Sequence, residues 1–298
     1  MQRITIDDQF SLSKVAHGFW RASNWSYSTD ELYQLISQLS EMGVTTFDHA
    51  NIYGNGQSES MFGEVLKAHP ELRNKLEIVT KCGIVKNPED TTGLTGSYYD
   101  TSYEHVMKSV DESLLRLQTD TIDVLLIHRL DHIMDYKETA RAFRDLRDAG
   151  KVRYFGVSNF LAPQLEAMKK EFPDLILNQI SVSVDHLEHF KNGTLEKMQV
   201  LDLKAMAYSP LGGGRIFTKE NYHPRLLAAL ENIRKDHGVK TIDHIMYAWI
   251  YKHPLNIMPI VGSSKLERIK IAVEACDIKL SNREFYVLYT HSQLEPLP

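Results

Sequence analysis

Four side chains able to hold or move a proton lie in the first half of the chain: Asp48, Tyr53, Lys81 and His128. A tyrosine hydroxyl, with a reference pKa near 10, is a poor proton donor at neutral pH unless its phenolate is favoured. An ammonium within about 4 to 6 Å favours it, which gives Lys81 a use beside Tyr53, and a carboxylate such as Asp48 keeps that lysine charged. His128 then offers a hydrogen bond to hold a carbonyl oxygen near the Tyr53 hydroxyl. Such a set delivers a proton to an oxygen that is becoming an alkoxide. It has no hydride of its own, so the chemistry calls for a reduced cofactor.

Taken singly, each residue has an ordinary structural use. A strand-end carboxylate caps a helix, a buried lysine pairs with a structural aspartate, and a histidine at the core edge is simply satisfied there. Only convergence on one rim makes them an acid–base set.

The elements that must bring them together are legible as apolar runs. A short hairpin, residues 4–6 and 12–13 with Asp7-Asp8 in its turn, precedes eight runs at 15–20, 44–47, 76–80, 122–127, 153–157, 175–178, 203–207 and 257–261. Most are continuously apolar, as strands buried on both faces are. Between them lie helical patterns with capping-box pairs at Ser28/Glu31, Thr101/Glu104, Ser264/Glu267 and Ser281/Glu284. Leu32, Leu35, Ile36 and Leu39 make one apolar face, and Val106, Val110, Leu114 and Leu117 another. This alternation predicts one α/β domain over residues 1–298, a (β/α)8 TIM barrel with an N-terminal β-hairpin. A doubly wound sheet is the alternative, but G-x-G-x-x-G is missing after the first strand, and Gly212-Gly213-Gly214 comes late without that spacing.

In a barrel, chemistry sits where the strands end. The second run ends at Asp48, the third at Lys81, the fourth at His128, the fifth at Ser158-Asn159, the sixth at Gln179, the seventh at Tyr208-Ser209 and the eighth at Gly262-Ser263-Ser264. Tyr53 follows Asp48 in a loop that contains Gly54 and Gly56.

Composition narrows the function. With 34 Lys plus Arg against 39 Asp plus Glu the formal charge is −5, which argues against nucleic acid as a partner. No apolar run approaches the roughly 18 residues of a membrane span, and the first residues lack the basic and apolar stretches of a secretion signal, so a cytoplasmic protein is expected. Cys82 and Cys276 match no zinc spacing. His186 and His189 are spaced to share a helix face, but no third ligand is fixed, and no metal is predicted.

Several stretches stand in a fixed order along the chain: Gly43-Val44-Thr45-Thr46-Phe47-Asp48-His49-Ala50-Asn51-Ile52-Tyr53-Gly54 with Ser58-Glu59, then Ile78-Val79-Thr80-Lys81 and Leu125-Leu126-Ile127-His128-Arg129. Gly156-Val157-Ser158-Asn159-Phe160 and Ala207-Tyr208-Ser209-Pro210-Leu211 follow. Together, and in this order, they resemble the aldo-keto reductase superfamily. The resemblance implies an NADPH-dependent reductase of aldehydes or ketones, with a small carbonyl compound as substrate. Tyr53 would be the proton donor, tuned by Lys81 and Asp48, with His128 orienting the carbonyl. Ser158, Asn159 and Gln179 would hold the nicotinamide carboxamide and Tyr208 would stack on its ring, while Ser209, Leu211 and Gly212 would line the pyrophosphate.

For the adenosine end, Gly262, Ser263, Lys265 and Arg268 open a helix whose N-terminus suits an anion, and the cations suit a 2′-phosphate. Ile271-Ala272 stand where the family has Glu-Asn, so its adenine contact is not carried over. Phe19 and Trp20 are the expected apolar wall for substrate. The segment 85–102 reads as a mobile loop over the site, and the tail at 293–298 is too short for the family's long substrate loop, which implies an open pocket. Two other functions fit parts of the pattern. One is a barrel that binds NADPH and senses redox state with little turnover. The other is a Schiff-base aldolase using Lys81, which would need that lysine uncharged.

Overall fold

The computed structural model describes residues 2–86, 96–218, 224–294 and 296–297. Eight parallel strands close into a barrel: β3 (Ala16–Gly18), β4 (Thr46–Asp48), β5 (Glu77–Cys82), β8 (Ile122–Ile127), β9 (Val152–Ser158), β10 (Leu175–Ser181), β11 (Lys204–Tyr208) and β12 (Met258–Val261), with β12 returning to pair with β3. The doubly wound alternative is thereby overturned. A two-stranded antiparallel hairpin, β1 (Arg3–Thr5) and β2 (Ser11–Ser13), precedes it. Its Ile4, Phe10 and Leu12 pack with Ala16, Val79, Val124, Leu126, Leu177, Met206, Met258 and Ile260. The hairpin thus closes the end of the barrel at which the strands begin and leaves the other end for chemistry.

Helices α1 (Thr29–Glu41), α2 (Gln57–Ala68), α3 (Tyr103–Leu117), α4 (Tyr136–Asp148), α5 (Ala162–Glu171), α6 (Thr194–Val200), α7 (Pro224–Asp236), α8 (Ile242–Tyr251) and α9 (Leu266–Glu274) follow the strands, and α10 (Asn282–Gln293) comes last. The expected face of α1 is buried as one stripe. Two capping boxes form as expected, Ser28 with Glu31 and Ser281 with Glu284.

The other two do not. Ser102, one residue later than expected, caps α3 by accepting from the His105 N–H at 3.3 Å, because the Thr101 hydroxyl is turned to Asp131 at 3.0 Å. At α9 the N-cap is Lys265, with no side chain in the capping position, and the Ser263 hydroxyl accepts from the Lys265 N–H at 3.1 Å. The segment expected as a plain loop contributes two paired strands, β6 (Ile84–Lys86) and β7 (Ser97–Tyr99). Its Asn87-Pro88-Glu89-Asp90-Thr91-Thr92-Gly93 stretch lies outside the described residues. Among the described residues no helix is long and apolar enough to cross a membrane.

Candidate active site

β4 and β5 run side by side with Asp48 opposite Val79. Lys81 is two residues further on, so it shares the inward face of Val79 at the open end. Its ammonium is fully buried and donates to Asp48 Oδ1 at 2.7 Å, to Asp48 Oδ2 at 2.8 Å and to the His49 carbonyl at 2.7 Å. Gln179, from β10 across the barrel, donates to the same Asp48 Oδ1 at 2.8 Å. The lysine's remaining reach goes to Tyr53 Oη at 3.2 Å. Burial lowers the Lys81 pKa, but Asp48 and Tyr53 outweigh it, so the ammonium is held above the ordinary lysine value. A Schiff-base role, which needs the free amine, is opposed by that balance.

Tyr53 is placed by a tethered loop. The Asn51 N–H donates to the Lys81 carbonyl at 3.0 Å and the Tyr53 N–H to the Ala50 carbonyl at 3.0 Å. The chain then turns through Gly54 (φ 57°), Asn55 and Gly56 (φ 88°) into α2. A Cβ on Gly54 would come within 2.6 Å of Ser23 Cβ, which fixes glycine there. The expected lowering of the Tyr53 pKa by Lys81 is present but does not win. Burial raises it more, and the net shift is upward. Tyr53 is therefore a neutral phenol with its proton in place.

His128 stands beyond the end of β8, where its N–H donates to the Cys82 carbonyl at 2.8 Å. Its ring meets Tyr53 edge-on at 5.6 Å between centroids. Burial, then Lys81 and Arg129, push its pKa well below the usual histidine value, so the ring is neutral. Nδ1 is buried without a partner, which leaves Nε2 as the nitrogen available to a ligand.

A second cluster adjoins this one. Tyr208 donates to Asn159 Oδ1 at 2.7 Å, Asn159 Nδ2 to the Ser158 hydroxyl at 2.8 Å, and Ser158 Oγ to the Gln179 carbonyl at 2.9 Å. Beyond Tyr208 the chain passes Ser209 (φ 51°) and half-buried Leu211 to Gly212 (φ 60°), where a Cβ would strike the Asp185 carboxylate. Gly262, Lys265 and Arg268 are exposed and Ser263 half-buried around the start of α9, on the same rim.

Other expected residues fall elsewhere. Phe19 is fully buried, packed against His49 at 4.4 Å and against Trp25 and Phe62, each at 5.4 Å between ring centroids. It supports the wall instead of forming it, and of the pair only Trp20, 61 % exposed, faces solvent. His186 and His189 do not share a helix, since His189 lies buried in a turn over Glu188–Phe190 and their rings are 6.4 Å apart. Among the described residues no three His, Cys, Asp or Glu side chains are grouped to hold a metal ion.

Two residues carried no role in the sequence reading. Glu59 is fully buried and accepts from Thr80 at 2.6 Å and Arg116 at 2.7 Å, locking α2 to β5 and α3. Arg129 lies with its guanidinium carbon 5.9 Å from the Tyr208 ring centroid. Its only signal in the sequence is its place next to His128.

Residues 14–291 match the aldo/keto reductase family. The chain is 44 % identical to the uncharacterized oxidoreductase YcsN of Bacillus subtilis (strain 168), covering 100 % of both chains. It is 38 % identical to a 6-dehydroglucose reductase of Agrobacterium fabrum (strain C58 / ATCC 33970), covering 97 % of each. The fold is also that of a crystal structure of an aldo/keto reductase from Klebsiella pneumoniae in complex with NADP and acetate, with a TM-score of 0.80 at 22 % identity over 99 % of this chain and 96 % of that one.

Proposed function

The chain belongs to the aldo/keto reductase family, and on that premise we propose that this oxidoreductase reduces the carbonyl of small aldehydes or ketones to alcohols with NADPH, Tyr53 giving the proton. The observation that carries the reading is the buried Asp48–Lys81–Tyr53 chain, at 2.7 Å and 3.2 Å. A charged lysine against a neutral phenol is what a proton donor needs. The phenol holds its proton until the carbonyl oxygen takes it, and the ammonium then stabilises the phenolate left behind. His128 donates from Nε2 to the same oxygen and fixes its distance from Tyr53.

The residues present fit a nicotinamide cofactor. Gln179 Oε1 makes no hydrogen bond among the described residues, and Asn159 Nδ2 has only a long second bond of 3.4 Å to the His128 carbonyl, so both have capacity for a carboxamide. The hydroxyl bond to Asn159 holds the Tyr208 ring in one orientation for stacking. Bound there, the reduced cofactor supplies the hydride. Ser209, Leu211 and Gly212 would line its pyrophosphate. Ser263, Lys265 and Arg268, at a helix start with no side-chain cap, would take a 2′-phosphate. The NADP bound by the Klebsiella protein supports this choice. Trp20 would be the exposed apolar side of the substrate mouth, and Phe19 its backing.

Tyr53→Phe removes one oxygen and tests the reading. NADPH consumption with a panel of aldehydes and ketones, 6-dehydroglucose among them, should fall on the order of 10²-fold or more in kcat while cofactor affinity holds. Near wild-type reduction by this variant would remove Tyr53 as the donor.

A further inference from the structure

The mouth of the barrel holds cations that the acid–base set does not use. Arg129, half-buried, follows His128 directly. Its charge acts on both Tyr53 and His128, so it lies within electrostatic reach of the two groups that would grip a carbonyl oxygen. Among the described residues its side chain makes no hydrogen bond and no ion pair, only the contact above the Tyr208 ring. Three other arginines of the barrel are matched: Arg3 with Glu77 at 2.5 Å, Arg73 with Asp123 at 2.9 Å and Arg116 with Glu59 at 2.7 Å.

The carboxylates close in sequence or space are already engaged. Asp131 accepts from the Thr101 hydroxyl and the Ile133 N–H, each at 3.0 Å, and Asp48 is filled by Lys81 and Gln179. Further cations stand at the loop that carries Tyr53 and beside Trp20. Lys86 of β6 donates to Asn55 in that loop, and Arg21 lies 5.0 Å from the Trp20 ring centroid. In a chain of formal charge −5 this is a local excess.

We propose that the substrate carries an anionic group, a carboxylate or a phosphate, on the skeleton of its carbonyl, and that Arg129 is the specificity-determining residue that binds it. The inference rests on the reading of Tyr53 and His128 as the carbonyl-binding pair. A guanidinium offers a planar fork of donors that matches both oxyanions, and partial burial strengthens the attraction. The contact with Tyr208 gives the unpaired cation a resting place when no anion is present.

The test compares matched aldehydes: butanal with succinic semialdehyde, and glyceraldehyde with glyceraldehyde 3-phosphate. The wild-type enzyme should favour the anionic member of one pair by about tenfold or more in kcat/KM, and which pair separates carboxylate from phosphate. In Arg129→Met that ratio should collapse towards one, and Arg129→Lys, which keeps the charge but not the fork, should retain part of it. An unchanged ratio in Arg129→Met, or no preference in the wild type, overturns the proposal.

A second arm needs no turnover. Calorimetric titration of wild type and Arg129→Met with butanoate, inorganic phosphate and butanamide should show an anion bound by the wild type and lost in the variant. Equal behaviour of the two proteins towards all three probes overturns the proposal as well. Failure to consume NADPH with every aldehyde, neutral ones included, would sink the reductase reading, and the titration would still decide the role of Arg129.

Discussion

The His17 and His49 rings are fully buried behind the site. His17 donates from Nδ1 to the Val261 carbonyl at 2.8 Å, while its Nε2 and both nitrogens of His49 have no partner. Burial lowers the His17 pKa to about 4 and pushes that of His49 well below the usual value, with Lys81 adding to the second. The unfolded chain takes up these protons near pH 6.5 and the folded one does not. Stability is therefore full above pH 6.5 and is lost as the pH falls, in the case of His17 until about pH 4. At about 1.4 kcal/mol per unit, His17 alone accounts for roughly 3 kcal/mol over that window. Urea unfolding at pH 7 and pH 4.5 should show the loss, and His17→Phe should flatten it. A slope indifferent to that substitution would place the titration elsewhere. Nothing in the sequence marks this pair, because a histidine within an apolar run reads equally as core or as ligand. Phe19 misled for a related reason: its place after a strand suggested the rim, but packing against Trp25, His49 and Phe62 draws it inward.

At the scale of elements, the Tyr53 loop is held by the crossing of α2 and α3. Gly63 in α2 meets α3 backbone to backbone, and a Cβ there would fall on the Arg116 carbonyl oxygen and lie 2.9 Å from the Leu117 carbonyl carbon. Glu59, one turn earlier, binds Arg116 and Thr80 at the same crossing. Gly63→Ala should gain up to about 1 kcal/mol of helix propensity but lose about 1–3 kcal/mol or more by forcing the helices apart, so that thermal stability falls on balance. Because the helix that moves begins just after Tyr53, kcat should fall with it. An alanine variant as stable and active as the wild type would mean that the crossing is not what positions the loop. The alternation of strands and helices is plain in the sequence, since burial on both faces makes most barrel strands largely apolar, as in β8, every residue of which is buried. What stayed hidden was local competition for hydrogen bonds. Thr101 matches a cap as well as Ser102 does, and only Asp131, thirty residues on, decides between them.

For the molecule as a whole, closing the barrel is what makes a site, because it brings Asp48, Gln179 and Lys81 into one hydrogen-bonded group from three strands far apart in sequence. That convergence, and the cations Lys265 and Arg268, can be argued from strand ends and the residues that follow them, whereas the place of Arg129 over the Tyr208 ring cannot. The chain is acidic overall, with Lys265 and Arg268 exposed at the start of α9 and Arg215 paired to Asp185 at 3.3 Å beside Gly212. An acidic molecule with a basic rim repels a polyanion at long range and attracts it at short range. Added salt weakens both effects, but most strongly the contacts at exposed cations. If Arg268 holds the 2′-phosphate, Arg268→Ala removes a charge-assisted contact worth about 1.5–3 kcal/mol. Its affinity for NADPH should drop roughly tenfold or more, while that for NADH, which lacks the phosphate, should hardly move. Raising salt from 50 to 500 mM should weaken NADPH binding to the wild type more than to Arg268→Ala, and should narrow the gap between the two cofactors. A parallel loss of both cofactors, measured by fluorescence titration at fixed salt, would mean that Arg268 supports the fold of α9, and the phosphate pocket would have to be sought away from Ser263, Lys265 and Arg268.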